Sequence, residues 1–328
     1  MNRRQQLLDF LTENQGLYVS GEALAKRLGC SRAAVWKNIA ALRAEGHSIL
    51  AVTNHGYCMS LPGEAFCRNV QKKLSDANLD QLFDLHVREM TDSTNSDARK
   101  AGDQGVREFS VFVAMSQTGG RGRRGRTFFS DNRDGLWFSI LLRPTLDLRA
   151  ASSVTLLFGL IVLRAVEEIC HIPVGLKWPN DIISLQNGKK VCGILSETSM
   201  EENRISYAVV GCGLNLSQSS FPEEIQDVAT SVLLLGAQIE KEEILFRILK
   251  ETAERYPAFI QDPTSFLTEY RANCVTLGRR VRVESNPPFE GLAEGVSSLG
   301  DLLVRTDDGV LRTCTSGEVS IRPGNRQE

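Results

Sequence analysis

Gly119-Gly-Arg-Gly-Arg-Arg-Gly-Arg-Thr-Phe-Phe-Ser-Asp-Asn-Arg-Asp-Gly-Leu-Trp-Phe-Ser-Ile-Leu-Leu142 separates two fold classes for this chain. Its first eight residues hold four glycines and four arginines, a density of like charge that repels itself until an anion arrives. Residues 120–127 nearly spell the phosphate loop of nucleotide hydrolases, with Arg126 where that motif has lysine. Such a loop must open a helix. Here it leads into an irregular turn, 127–135, and then a strand-like run, 136–142, so the phosphate-loop reading is rejected. A clamp for an anionic ligand, a solvated basic loop and a nucleic-acid patch all fit these eight residues taken alone.

Around this stretch strands and helices mix. Strand patterns at 85–90, 110–115 and 136–142 precede a buried helical run, 151–170, uncharged as far as Leu163, and strands at 174–178, 191–197 and 205–210 follow it. Helical spacing at 241–260 and 264–273 closes the segment. Helices gathered before and after the strands favour an α+β sheet with helices on one face over a doubly wound one. Beyond residue 276, short strands at 279–284, 291–297, 302–306, 310–313 and 319–322 alternate with turns such as Asp308-Gly309, the pattern of a small β-barrel.

The N-terminal end has a different character. Residues 1–60 carry seven Lys/Arg against four Asp/Glu, while the whole chain is net −2, so the positive excess is local. Helical spacing covers 3–12, and Ser20 caps a second helix from Gly21 to Leu28 that Gly29 breaks. Ser31 caps a third helix, 32–45, with Val35, Ile39 and Leu42 on one face and Arg32, Trp36, Lys37 and Arg43 off it. Residues 48–53 and 57–60, joined through Asn54-His-Gly56, form a short hairpin. Helix, glycine turn, helix and hairpin make a winged helix-turn-helix, whose DNA-facing set is Gly21, Ser31, Arg32, Trp36, Lys37 and Ala40. Residues 61–84 read as a connector with a polar helix. The expected domains are a winged helix over 1–62, a mixed-sheet domain over 63–275 and a C-terminal SH3-like barrel over 276–328.

No run is long enough to span a bilayer and no signal peptide opens the chain. The eight cysteines are scattered singly, which suits reduced thiols in the cytoplasm, and no metal-ligand set is read. A second polar segment, Lys177-Trp-Pro-Asn-Asp181, ends a strand, with proline forcing a turn that presents Lys177, Asn180 and Asp181 together. If Asn187-Gly188 forms a two-residue hairpin, residue 181 faces 194 and Asp181 shares a face with Lys190.

Taken together, Ser93-Thr94-Asn95, Gln117, the arginine loop, Lys177–Asp181, Lys190-Val-Cys-Gly193, Gly211-Cys-Gly-Leu-Asn215 and Gly317-Glu-Val-Ser-Ile-Arg322 resemble the biotin protein ligases. With the winged helix, the chain is similar to the bifunctional ligase and biotin operon repressor family over nearly its whole length. The resemblance implies a class II synthetase-like catalytic domain using biotin, ATP and Mg2+. It forms biotinyl-5′-AMP, then transfers biotin to a lysine of the biotin carboxyl carrier protein of acetyl-CoA carboxylase. It further implies homodimerisation on binding biotinyl-AMP, operator DNA as a partner, and no membrane partner.

By the same resemblance Ser93, Thr94, Asn95 and Gln117 hydrogen-bond the biotin ring, and Ser93 and Thr94 also suit a helix N-cap before Ala98. Arg121, Gly122 and Arg123 close over biotin carboxylate and phosphate, with Lys190 at the carboxylate. Arg121, Arg123, Arg126, Phe128, Asn180 and Asn215 attend the nucleotide. Lys190, Arg123, Lys177 and Asp181 form the catalytic set. Thr127-Phe128 stands where the family often has Lys-Trp, leaving a smaller ring to stack. Neither step requires an enzyme nucleophile, and none of the four histidines sits in a recognisable constellation. A ligand-sensing regulator without turnover and a lipoate ligase of similar fold are the competing functions; Lys177–Asp181 with Lys190 argues against the first, the arginine loop and winged helix against the second.

Overall fold

The computed structural model describes residues 2–45, 47–53, 55–146, 151–201, 204–285, 287–315 and 319–321. The chain divides into two compact units, Met1–Asn69 and Val70–Glu328. In the first, helices α1 (Arg3–Glu13), α2 (Gly21–Leu28) and α3 (Arg32–Ala44) bury Leu7, Leu11, Leu24, Val35, Ile39 and Leu42 in one core. Ser20 Oγ accepts from Ala23 N at 3.1 Å and Ser31 Oγ from Ala34 N at 3.2 Å, the two caps the sequence anticipates. Strands β1 (Ile49–Val52) and β2 (Gly56–Met59) pair antiparallel as the wing. Asn54 of the expected turn lies outside the described residues. Gly56 has φ +102°, and a Cβ there would strike the Val19 backbone. The approach is tight because Val19 and Tyr57 exchange backbone hydrogen bonds of 2.8 Å.

Helix α4 (Pro62–Asp76) runs across the division between units. Expected to be polar, it buries Phe66, Val70 and Leu74, one residue per turn, and so is amphipathic.

The second unit is built on β3 (Asp84–Thr91), α5 (Thr94–Asp103), β4 (Ser110–Gln117), β5 (Gly135–Leu142), α6 (Ala151–Cys170), β6 (Val174–Lys177), β7 (Asp181–Ser184), β8 (Lys190–Glu201), β9 (Arg204–Asn215), α7 (Lys241–Gln261) and α8 (Leu267–Asn273). The seven strands form one mixed sheet, β3-β4-β5-β9-β8-β7-β6, in which β3 and β4 are parallel and the other pairs antiparallel. Helix α6 is apolar nearly all round and contacts β6, β7, β8 and β9.

Helices cover both faces of this sheet, which corrects the one-face expectation. Val209 packs with Ala98 and Ala101 of α5, while Ile194, opposite Cys212, lies by Gly159 of α6. Residues 209 and 212 of one strand point to opposite faces. In sequence only the cap candidates Ser93 and Thr94 mark α5, because its ten residues carry little apolar periodicity beyond Ala98 and Ala101.

Strands β10 (Arg280–Val283), β11 (Phe289–Val296), β12 (Leu302–Arg305), β13 (Leu311–Cys314) and β14 (Val319–Ile321) form the small C-terminal antiparallel sheet, ordered β13-β12-β11-β10-β14. Gly317, Glu318 and Arg322 of the quoted terminal motif lie outside the described residues. This sheet docks on the larger one through Trp178 Nε1, which donates to Gly300 O at 2.9 Å, and Arg271 Nη2, which donates to Val296 O at 2.6 Å.

Candidate functional site

The arginine loop folds back as an irregular hairpin, with Phe128 N donating to Gly120 O at 2.9 Å and Gly122 N to Arg126 O at 2.7 Å. No helix opens from it. Arg123–Gly125 make a single tight turn in which Arg124 and Gly125 adopt φ +56° and +74°. Gly120 has no room for a side chain, because a Cβ would land on Ser130 Oγ and Phe128 O. Arg123 Nη1 donates to Asn180 Oδ1 at 3.3 Å, and Asn180 Nδ2 donates to Ile194 O at 3.0 Å, so β8 positions the guanidinium through Asn180. Arg121 lies 3.5 Å from Asp92 at the rim, and Arg124 reaches Glu284 O.

Strands β6 and β7 turn through Trp178-Pro-Asn180, which sets Lys177 opposite Asp181. Lys190 Nζ pairs with Asp181 Oδ1 at 2.6 Å, so the expected shared face exists. The register differs by one residue: Asp181 faces Gly193 and not Ile194, because a bulge lets Ile182 face Cys192 and Ile183 face Lys190. Lys190 Nζ lies 5.5 Å from the centroid of the Phe128 ring, which packs edge to face on Trp137. Two glycines make this possible. A Cβ on Gly193 would stand 2.6 Å from Lys190 Nζ, and one on Gly213 2.6 Å from Phe128 Cε1.

At the start of α5, Thr94 N donates to Gln117 Oε1 at 2.8 Å, and Gln117 Nε2 donates to Ser130 Oγ at 3.0 Å. Ser93 is the N-cap by backbone conformation, and its hydroxyl makes no capping hydrogen bond. Asn95 Nδ2 donates to Glu197 Oε2 at 2.7 Å and lies 3.3 Å from Leu195 O, while Asn95 Oδ1 accepts from Ser139 Oγ at 2.6 Å. Both ends of that carboxamide are thus engaged within the protein.

One cavity is lined by Ser93, Thr94, Asn95, Gln117, Arg121, Gly122, Arg123, Phe128, Asn180 and Lys190 over a floor of Gly193, Gly211 and Gly213. A second cavity shares the Phe128 and Lys190 wall and adds Arg126, Lys177, Asp181, Asn215 and the apolar Phe129, Phe221, Pro222 and Ile225. Asn215 is buried there and donates to Thr230 O at 3.0 Å, so it anchors the following segment. Two cavities that meet at Lys190, with Arg123 lining the first and Arg126 the second, can hold two anions in contact. Cys212 borders the first, but burial, and then the Cys192 thiol 3.4 Å away, raise its pKa well above the ordinary thiol value. It offers no ready thiolate.

Sequence reasoning missed Ser130, Ser139, Glu197 and Phe221. Ser139 left a trace, a single hydroxyl inside the otherwise apolar run Leu136–Leu142. Glu197 left none, since its partner Asn95 is 102 residues away.

In the first unit, Arg32, Ala33, Trp36, Lys37 and Ala40 share the exposed side of α3, with Trp36 65% exposed. Gly21 opens α2, and the Ser31 hydroxyl is occupied in capping. Arg43, also off the apolar face, has a structural partner: its Nε donates to Ile49 O at 2.8 Å, tying α3 to the wing. Among the described residues no helix is long and apolar enough to cross a membrane.

A winged helix joined to a mixed-sheet domain with an arginine loop, a lysine–aspartate pair and two adjoining cavities defines a DNA-binding protein that also handles small anions. Three family descriptions match: the HTH domain over residues 3–58, the biotin/lipoate A/B protein ligase family over 87–215, and the biotin protein ligase C-terminal domain over 276–322. The bifunctional ligase/repressor BirA of Bacillus subtilis (strain 168) is 34% identical over 94% of this chain and 95% of its own length. That of Escherichia coli (strain K12) is 28% identical over 95% of each. A crystal structure of the Aquifex aeolicus biotin protein ligase with biotin and ATP superposes with TM-score 0.62 at 33% identity, covering 73% of this chain and 98% of that one. The chain belongs to the bifunctional biotin ligase/repressor family.

Proposed function

We propose that this protein activates biotin with ATP, transfers it to a lysine of a biotin carboxyl carrier protein of acetyl-CoA carboxylase, and represses the biotin operon through its winged helix. The observation that carries the ligase half is the wall of Phe128 and Lys190 shared by two cavities, with Arg123 lining the first and Arg126 the second. Biotin lies in the first, its ring toward Ser93, Thr94 and Gln117 and its carboxylate toward Arg123 and Lys190. ATP lies in the second, its base against Phe128 and Phe221 and its phosphates toward Arg126 and Lys177.

The biotin carboxylate attacks the α-phosphorus, the bond to pyrophosphate breaks, and Lys190 and Arg123 offset the charge that gathers on the transferring group. The carrier lysine, as a free amine, then attacks the acyl carbon and AMP leaves. Asp181 aims Lys190 throughout. Mg2+ would arrive with the phosphates, which supply most of its oxygen ligands, and a single nearby carboxylate such as Asp181 suits it. Retention of the adenylate favours a homodimer whose two winged helices read a two-fold operator. The setting we propose is the cytoplasm, in keeping with eight free cysteines.

The test is incubation with biotin, MgATP and a biotin carboxyl carrier domain. A gain of one biotinyl group on the carrier is expected, and an unmodified carrier after adenylate has formed would leave only a sensor.

A further inference from the structure

Glu197 stands on β8 with one carboxylate oxygen 2.7 Å from Asn95 Nδ2 and the other 3.4 Å from Arg99 Nη1. Asn95 and Arg99 are one turn apart on α5, so one carboxylate grips two successive turns of the helix. Asn95 is 4% exposed and sits where a Cβ on Gly211 would have to be, so the helix start is pressed against β9 as well. Ser139, fully buried on β5, completes the hold. Three strands therefore fix the point where the chain enters α5. That entry carries Ser93 and Thr94, which line the first cavity.

We propose that Glu197 is a positioning residue for the biotin ring, acting through Asn95 to hold Ser93 and Thr94 at hydrogen-bonding distance from the ligand. The proposal rests on the assignment of the first cavity to biotin. An ionised carboxylate fits this task because it accepts from a carboxamide and a guanidinium at once. Replacing it with alanine leaves Asn95 Nδ2 with Leu195 O alone and frees the second turn of α5. The loss falls on ligand affinity, because Lys190, Asp181 and Arg123 are held by β7, β8 and Asn180 independently of α5.

Biotin binding to the full chain by calorimetry, with steady-state adenylation beside it, provides the test. In Glu197→Ala the biotin Kd and KM should both rise about ten- to a hundredfold, the range for a lost hydrogen bond to a charged group, while kcat at saturating biotin changes less than about threefold. Glu197→Gln keeps an acceptor for Asn95 and should recover most of the affinity. Adding Asn95→Ala to Glu197→Ala should cost little more, since both remove one linkage. If Glu197→Ala does not fold, Asn95→Asp, which sets two carboxylates against each other, should show the same rise in Kd and relief by Glu197→Gln. Parent-like affinity in whichever variant folds, or additive losses in the pair, would overturn the positioning role. A parent chain that binds no biotin would instead overturn the assignment of the cavity.

Discussion

Lys190 and Asp181 come from neighbouring strands, β8 and β7, and meet at 2.6 Å with their side chains 30% and 23% exposed. An ion pair this far out of solvent aims the ammonium group without neutralising it permanently, because an arriving phosphate or carboxylate competes for the same donors. Lys190→Ala should lower the single-turnover adenylation rate by about 10² to 10³, the scale for one preorganised donor in a water-poor site. Asp181→Asn should cost less, since the lysine remains. Rapid-quench measurement of adenylate checks both, and a Lys190→Ala rate within a few fold of the parent would return the lysine to a solvated strand end.

Arg123 contributes differently. It sits on the loop and reaches the site through Asn180, so its largest effect should be on retention of the adenylate. In Arg123→Gly the dissociation rate of biotinyl-AMP should rise about ten- to a hundredfold, the equivalent of a charge-assisted hydrogen bond of roughly 1.5 to 3 kcal/mol. Released adenylate should label bystander proteins. An unchanged dissociation rate would remove the clamp from the mechanism.

The glycine floor makes a third prediction. A methyl on Gly213 meets the Phe128 ring at 2.6 Å, whereas one on Gly193 meets Lys190 Nζ at 2.6 Å and the ring only at 3.0 Å. Gly213→Ala should displace the ring and raise the KM for ATP about tenfold, in line with an overpacking cost of 1–3 kcal/mol. Gly193→Ala should act mainly on kcat by shifting the lysine. An unchanged KM for ATP in Gly213→Ala would mean that Phe128 does not border the nucleotide.

Polar motifs on single short segments were legible in the sequence: the arginine loop borders a cavity, Asp181 shares a face with Lys190 despite the shifted register, and the caps of α2 and α3 form. Helix α6 matched its expected bounds, 151–170, because a helical pattern that is uncharged as far as Leu163 has its stable setting in the core. What escaped was long-range. The bulge in β8 depends on packing against β7, and nothing in the sequence sets Glu197 beside Asn95 or the Ile49 carbonyl beside Arg43. A side chain's type reveals which bonds it can make, while its partner depends on the fold.

Glu269 on α8 ties α6 to α7, accepting from Arg164 at 2.6 Å and Arg255 at 2.8 Å. Burial pushes its carboxyl pKa up, but hydrogen bonds from Arg255 and Arg164 and their charges outweigh this and hold it below the ordinary value. A depressed folded-state pKa gives stability that is complete above the unfolded pKa, about 4.3, and is lost as pH falls through the folded one. Glu269→Gln should therefore melt lower than the parent at pH 7, with the gap closing below about pH 4. Thermal denaturation across this range decides it, and a gap that widens in acid would contradict the ion-pair account.

The DNA-facing surface separates electrostatic from architectural arginines. Arg32 and Lys37 project from the exposed side of α3, whereas Arg43 donates to the wing strand at Ile49 O. Each phosphate contact contributes about −0.9 to the slope of log affinity against log salt, so in a dimer Arg32→Ala or Lys37→Ala should flatten that slope by about two, one per protomer. Arg43→Ala should leave the slope near that of the parent and instead lower the melting temperature of the winged helix, because it removes the tie between α3 and β1. The distinction is readable in one experiment, a gel-shift titration on the native operator repeated at several salt concentrations for the three variants. If Arg43→Ala flattened the slope as much as the other two, the arginine would be a phosphate contact after all and its bond to Ile49 incidental.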